Sequence, residues 1–242
     1  RLAEENGGQI LLIVSTSEKA KQIEEFLAFF AENRRVYVLP DEERSRFQYE
    51  AKSRVLSYER LKCLSAALSG EECIFVAPVM AAVKGMPDVS RFREVCIDIS
   101  LRDVVNYDEI REMLIFTGYE RTEVTEVRGQ FSIRGSIIDI FPPDAEYPFR
   151  IDLFGDEVDD LKLFDPLTQR SVRSLDSVHI LPATVPNPAS EKAAAFFWNY
   201  MSEEKTIIAD DWDRICEQRD LADREWAAGA ALMEEKNGGV PL

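Results

Sequence analysis

The sequence predicts an α/β protein: a parallel, doubly wound sheet domain, interrupted by a smaller α+β domain, with the chain then returning to the first sheet. Three observations predict it. Strand-like and helix-like segments alternate from Gln9 to Ala77. A run of paired β segments extends to Leu181, and after Pro182-Ala183-Thr184-Val185-Pro186-Asn187-Pro188, the clearest linker, α/β texture resumes. The expected boundaries are 1–95 and 183–242 for the two parts of the α/β domain and 96–182 for the insert.

Taken in order, the apolar run between Gln9 and Ser15 has the pattern of a parallel strand covered on both faces. Thr16 or Ser17 caps a helix in which Ala20, Ile23, Leu27 and Phe30 are spaced for one buried stripe. Val36 to Leu39 makes a second strand, stopped by Pro40. Asp41 to Leu56, rich in Glu, Arg and Ser, reads as a solvated, flexible connection. A helix is expected around Tyr58 to Leu68, ended near Gly70, and then a buried strand from Cys73 to Ala77. Such alternation is Rossmann-like or helicase-like.

The insert begins with a strand at Cys96 to Ser100 and a helix from Tyr107 to Phe116, terminated by Gly118. Strands follow at Glu123 to Val127, at two runs either side of Pro142-Pro143-Asp144-Ala145-Glu146-Tyr147-Pro148, at Glu157 to Phe164 and at Ser177 to Leu181. Beyond the linker come a helix (Glu191 to Glu203), a strand (Thr206 to Ala209) and a long helix (Trp212 to Lys236), with Trp198, Trp212 and Trp226 expected in the core.

Composition narrows the functional classes. A formal net charge of −16 argues against non-specific nucleic-acid binding, which needs Lys and Arg to neutralise phosphates, so little duplex affinity is expected. Cys63, Cys73, Cys96 and Cys216 form no C-x-x-C pair, and their expected state is reduced thiols in a cytoplasmic setting. His179 is the sole histidine, so nearly every zinc site or catalytic triad is excluded and no catalytic, metal or cofactor residues are assigned. No G-x-x-x-x-G-K-[ST] loop follows the first strand, so a phosphate cradle is missing. Without it, Asp210 and Asp211 read as strand-end or helix-capping residues. No run approaches the length of a membrane span. The chain starts at Arg1, and it is expected to be a piece of a longer protein.

The informative stretch is Gln130 to Phe154. Alternation places Phe149, Ile151 and Leu153 on one face of a strand and Arg150, Asp152 and Phe154 on the other. Arg134 joins the second face if the register of the neighbouring run allows. Arginines around an exposed aromatic are enriched at protein–protein hot spots. By alternation alone, cross-strand charge pairing on a solvated sheet is the favoured reading of this face.

Three ordered motifs decide otherwise: Gln130-Phe131-Ser132-Ile133-Arg134-Gly135-Ser136-Ile137-Ile138-Asp139-Ile140-Phe141-Pro142, then Phe149-Arg150-Ile151-Asp152-Leu153-Phe154-Gly155-Asp156-Glu157-Val158-Asp159, then Phe164-Asp165-Pro166-Leu167-Thr168-Gln169-Arg170-Ser171. Together they resemble the N-terminal module of the bacterial transcription-repair coupling factors, itself related to the excision-repair helicase UvrB. Gln130 and Ser136 stand where the motif usually has a glutamate and a second glycine.

The resemblance implies a helicase-like parallel-sheet domain without a working nucleotide site, and a non-catalytic adaptor that recruits UvrA to a stalled RNA polymerase. It places Arg134, Arg150, Asp152 and Phe154 at the UvrA-contacting surface. Other domains of the intact chain are further implied partners. UvrB inserts a long aromatic hairpin into DNA, but the comparable segment here, Asp41 to Leu56, holds only Phe47 and Tyr49 as aromatics, so damage clamping is not expected. The alternatives are a nucleotide-dependent helicase fragment and a structural or autoinhibitory domain.

Overall fold

The apolar run after Gln9 forms β1 (Ile10–Val14) in the computed structural model, which describes residues 7–30, 34–41, 50–185 and 195–236. β1 lies between β3 (Cys73–Pro78) and β12 (Thr206–Ala209), with β2 (Arg35–Val38) at the edge, in a four-stranded parallel sheet of order β12-β1-β3-β2. All of β3 is buried, which accounts for its lack of any charged residue. Gln9 is buried beside it and fully used: Nε2 donates to the carbonyls of Ala66 and Ala67, and Oε1 accepts from the Ser202 amide.

Helix α1 (Ser17–Phe30) packs on the sheet through Ala20, Ile23 and Leu27. Phe30, expected in that stripe, is exposed instead, as are Phe26 and Phe29. Fourteen helical residues extend about 21 Å against about 16 Å for a five-residue strand, so the last turn runs past the sheet. Helix α2 (Glu50–Ser69) starts earlier than expected, since Ala51, Lys52, Arg54 and Leu56 favour helix. Residues 50–56 of the proposed flexible connection are therefore helical; residues 42–49, with Phe47 and Tyr49, lie outside the described residues.

The helix expected over Glu191 to Glu203 is absent from its described part, residues 195–203. A 3₁₀ turn, Phe197–Asn199, stands there, with the Asn199 side chain accepting from the Phe196 amide and Phe197 buried edge-on against Phe75 at 5.0 Å; residues 186–194 lie outside the described residues. After α3 (Val79–Ala82), the sheet domain's elements are completed by α6 (Trp212–Lys236). Trp212 is exposed, against expectation, and Trp198 is half-buried, stacked on Phe196; the Trp226 side chain lies outside the described residues. Asp211 Oδ1 accepts from the Arg214 amide at 3.4 Å at the start of α6.

Contacts group residues 1–46, 66–84 and 196–242 in one unit and 47–65 and 85–195 in another. In the second, α4 (Val89–Glu94) is capped by Asp88, and β4 (Ile97–Ser100) pairs antiparallel with β11 (Ser177–Ile180). Helix α5 (Tyr107–Phe116) has Asn106 as its N-cap and Gly118, at φ +90°, just beyond its end.

A six-stranded sheet dominates this unit, in the order β10-β9-β8-β7-β6-β5. Its strands are β5 (Glu120–Arg121), β6 (Gln130–Arg134), β7 (Ile137–Ile140), β8 (Phe149–Phe154), β9 (Glu157–Phe164) and β10 (Ser171–Ser174). All pair antiparallel except β5 with β6. Phe131, Ile138, Ile151, Leu161 and Leu114 share its core. The strand expected over Glu123 to Val127 is a loop, because Gln130 Oε1 takes the amides of Glu126 and Val127 out of any ladder. The run before Pro142 is two strands rather than one, since Gly135 and Ser136 make a turn within it. Gly135 (φ +61°) and Gly155 (φ +65°) each open a two-residue hairpin loop that needs this conformation.

Candidate interaction face

Register assembles the site. Ser132, Asp139, Arg150 and Lys162 lie directly across from one another on β6 to β9, and Arg134, Ile137, Asp152 and Asp160 form the adjacent row. These rows share one face of the sheet, while Ile138, Ile151 and Leu161 fill the other. The hub is Asp139, 0% exposed. Its Oδ1 accepts from Arg150 Nε at 2.6 Å, and its Oδ2 accepts from Arg150 Nη2 at 2.7 Å and Arg134 Nη2 at 2.6 Å.

The two arginines differ. Arg150 is 13% exposed at its side chain and stacks over the buried Phe164 ring, 4.2 Å from its centroid. It also donates to the Gln169 backbone carbonyl at 3.4 Å and to Gln169 Oε1 at 3.0 Å. Its guanidinium pKa is raised, first by the hydrogen bond to Asp139, with burial opposing. Arg134 is 44% exposed and stands beside an open concavity lined by Arg121, Thr122, Glu123, Val124 and Ile133.

Asp152 is half-buried and accepts from Ser136 Oγ at 3.1 Å. Phe154 ends β8 at 82% exposure, although its neighbours Ile151 and Leu153 are buried. The structure thus joins Arg134 and Arg150 through one carboxylate, holds Asp152 separately on the same face, and leaves Phe154 uncovered among the described residues. Sequence reasoning missed Asp139, Phe164 and Gln169. A signal for Asp139 existed: a carboxylate between isoleucines, in a strand due to pair with Arg150. Phe164 reads as an ordinary strand-end apolar residue, and Gln169 reaches Arg150 through a turn at φ +60° that no local pattern announces.

No group of three or more His, Cys, Asp or Glu side chains that could hold a metal ion occurs among the described residues. No helix among them is long and apolar enough to cross a membrane. Burial pushes the thiols of Cys73 and Cys96 up to about 11 and about 12, the opposite of an activated nucleophile. The arrangement offers fixed hydrogen-bond donors and an exposed ring.

Residues 97–185, the whole of the β-rich unit's sheet, match the family of the UvrB interaction domain, so the class is an interaction domain carried in a mixed α/β chain. Over about three quarters of its length the chain is similar to bacterial transcription-repair coupling factors. It is 35% identical over 182 residues to the transcription-repair-coupling factor of Bacillus subtilis strain 168, covering 75% of this chain and 16% of that protein. Relatives of the same name in Staphylococcus aureus strains RF122 and MRSA252 are 31% identical over 176 residues, covering 73% of this chain and 15% of theirs. The chain therefore spans about a sixth of the length of these relatives.

Proposed function

We propose that this chain is the non-catalytic adaptor module of a transcription-repair coupling factor, and that the polar face of its six-stranded sheet binds UvrA, bringing it to a stalled RNA polymerase. The observation that carries the reading is Phe154, 82% exposed on the face where Arg134 and Arg150 converge on Asp139. An exposed phenylalanine is ordinary by itself, but one sharing a face with held arginines has the composition of an interface anchor between polar contacts. Arg134, Arg150, Asp152 and Phe154 are the proposed set, with Arg134, Asp152 and Phe154 as direct contacts and Arg150, 13% exposed at its side chain, holding the face from within. The polymerase-binding and motor functions belong to parts of the intact protein beyond this chain.

The parallel sheet is proposed as a helicase-like domain without nucleotide chemistry, in two parts, 1–95 and 183–242, around the 96–182 insert. Lys19, in the first turn of α1, pairs with Asp210, at the end of β12, at 3.6 Å. A cation and carboxylate at these places would face phosphate and magnesium in a nucleotide site; here they face each other. Calorimetric titration with UvrA tests the reading: saturable binding by the wild type, lost on Phe154→Ala without loss of folding, is expected. Equal binding by both proteins removes the face from the interface.

A further inference from the structure

Asp139 receives three charge-assisted hydrogen bonds from arginines on the two strands flanking its own, and it is fully buried, with no exposed surface of its own. The donors on either side are unequally spent. A guanidinium has five N–H groups. Arg150 uses four inside the chain: Nε and one Nη2 hydrogen on Asp139, the second Nη2 hydrogen on Gln169 Oε1, and one Nη1 hydrogen on the Gln169 carbonyl. Among the described residues Arg134 uses one, on Asp139 Oδ2, and its side chain is 44% exposed.

We infer that Asp139 is a positioning residue of the partner interface, which fixes the Arg134 fork for one carboxylate of the partner while Arg150 serves as the internal brace. This rests on the reading of the face as a UvrA site and deepens it by naming the group recognised. Charge is compatible: across the two rows Arg134, Arg150 and Lys162 are matched by Asp139, Asp152 and Asp160, but two guanidinium groups share Asp139, which leaves local positive charge at the more exposed Arg134. Geometry agrees as well, because the Nη2 bond to Asp139 anchors one corner of the Arg134 guanidinium and leaves its other N–H groups to meet a side-on carboxylate. Arg150, stacked on Phe164 with its fork already closed on Asp139, has no second edge to offer.

The test measures UvrA affinity for the folded chain, its melting temperature and the side-chain ¹⁵N resonances of its arginines. Arg134→Ala and Phe154→Ala come first; should neither weaken UvrA binding, the interface reading falls and the positioning role falls with it. When they do weaken it, Asp139→Asn is expected to weaken binding by about tenfold or more, although it makes the face more positive. Unchanged or tighter binding by folded Asp139→Asn overturns the positioning role alone, leaving the interface intact. Where that variant does not fold, Asp139→Leu combined with Arg150→Met replaces the buried pair by apolar groups, and affinity within about twofold of wild type overturns the proposal. In the unmutated chain the Arg134 Nη signals are expected to show restricted rotation, and free rotation there also overturns it.

Discussion

The two larger sheets draw on similar apolar residues but use their faces differently. In the parallel sheet β1 and β3 are flanked by strands on both sides, and β3 is buried throughout, so its side chains do nothing but pack. In the antiparallel sheet, β8 buries Ile151 and Leu153 while Arg150, Asp152 and Phe154 take the other face. A sheet covered on both sides has no side chains left to present, while one left open on a face can hold a fixed pattern of charge and aromatic surface. On the proposed function, the difference puts the interaction surface on the antiparallel sheet and leaves scaffolding to the parallel one.

That contrast is broken most severely by core truncation. Phe75→Ala, in the parallel sheet against Phe197 and Tyr37, is expected to cost about 3–5 kcal/mol in urea unfolding. Ile151→Ala removes the core side of the functional strand and should cost about 2–5 kcal/mol, with UvrA binding lost only in proportion to unfolded protein. Binding lost ahead of unfolding would place Ile151 in the interface and dissolve the distinction between the two faces.

Phe154→Ala sharpens the comparison from the other side. It is expected to cost about 2 kcal/mol or more in UvrA affinity while its melting temperature stays with that of the wild type. A fall in melting temperature comparable to that of Ile151→Ala would show that the ring packs within the chain.

The smallest effect concerns pH. Burial raises the Asp144 carboxyl pKa, with His179, Lys62 and Arg128 opposing. A carboxyl raised in the folded state is a cost to stability once it is ionised, and the cost disappears below the ordinary carboxylate pKa of about 3.9. Asp144→Asn is therefore expected to raise the melting temperature at neutral pH and to lose that gain as the pH falls through the raised value towards the ordinary one. A gain independent of pH would assign the effect to packing.

Several elements were legible in the sequence because local signals agreed with the tertiary result. The helix expected from Tyr107 to Phe116 and terminated by Gly118 is α5, which the structure shows capped by Asn106. β9, β12 and α6 likewise have the expected limits. Elsewhere, distant partners won. Residues 123–127 have strand-like alternation, but the Gln130 side chain and the Thr125 hydroxyl, bonded to Ser132 and the Asp139 carbonyl, hold them as a loop. Phe30 has the right period for the α1 stripe and the wrong distance along the helix. Trp212 has the composition of a core residue, but it sits in the first turn of α6, where it is exposed.

The sequence by itself determined that Arg150, Asp152 and Phe154 share a face, because alternation is a local property of any strand, and its three ordered motifs carried the resemblance to one family. Only the tertiary structure decided what that face is. Asp139, Arg134 and Arg150 come from three different strands, and their common carboxylate exists only once the two hairpin loops set the register. Phe164 and Gln169 then reach Arg150 from β9 and from the turn beyond it, which makes one arginine a brace and leaves the other exposed. Which guanidinium is spent and which keeps donors to offer depends on how many acceptors surround each, and that is a property of packing between strands rather than of order along the chain.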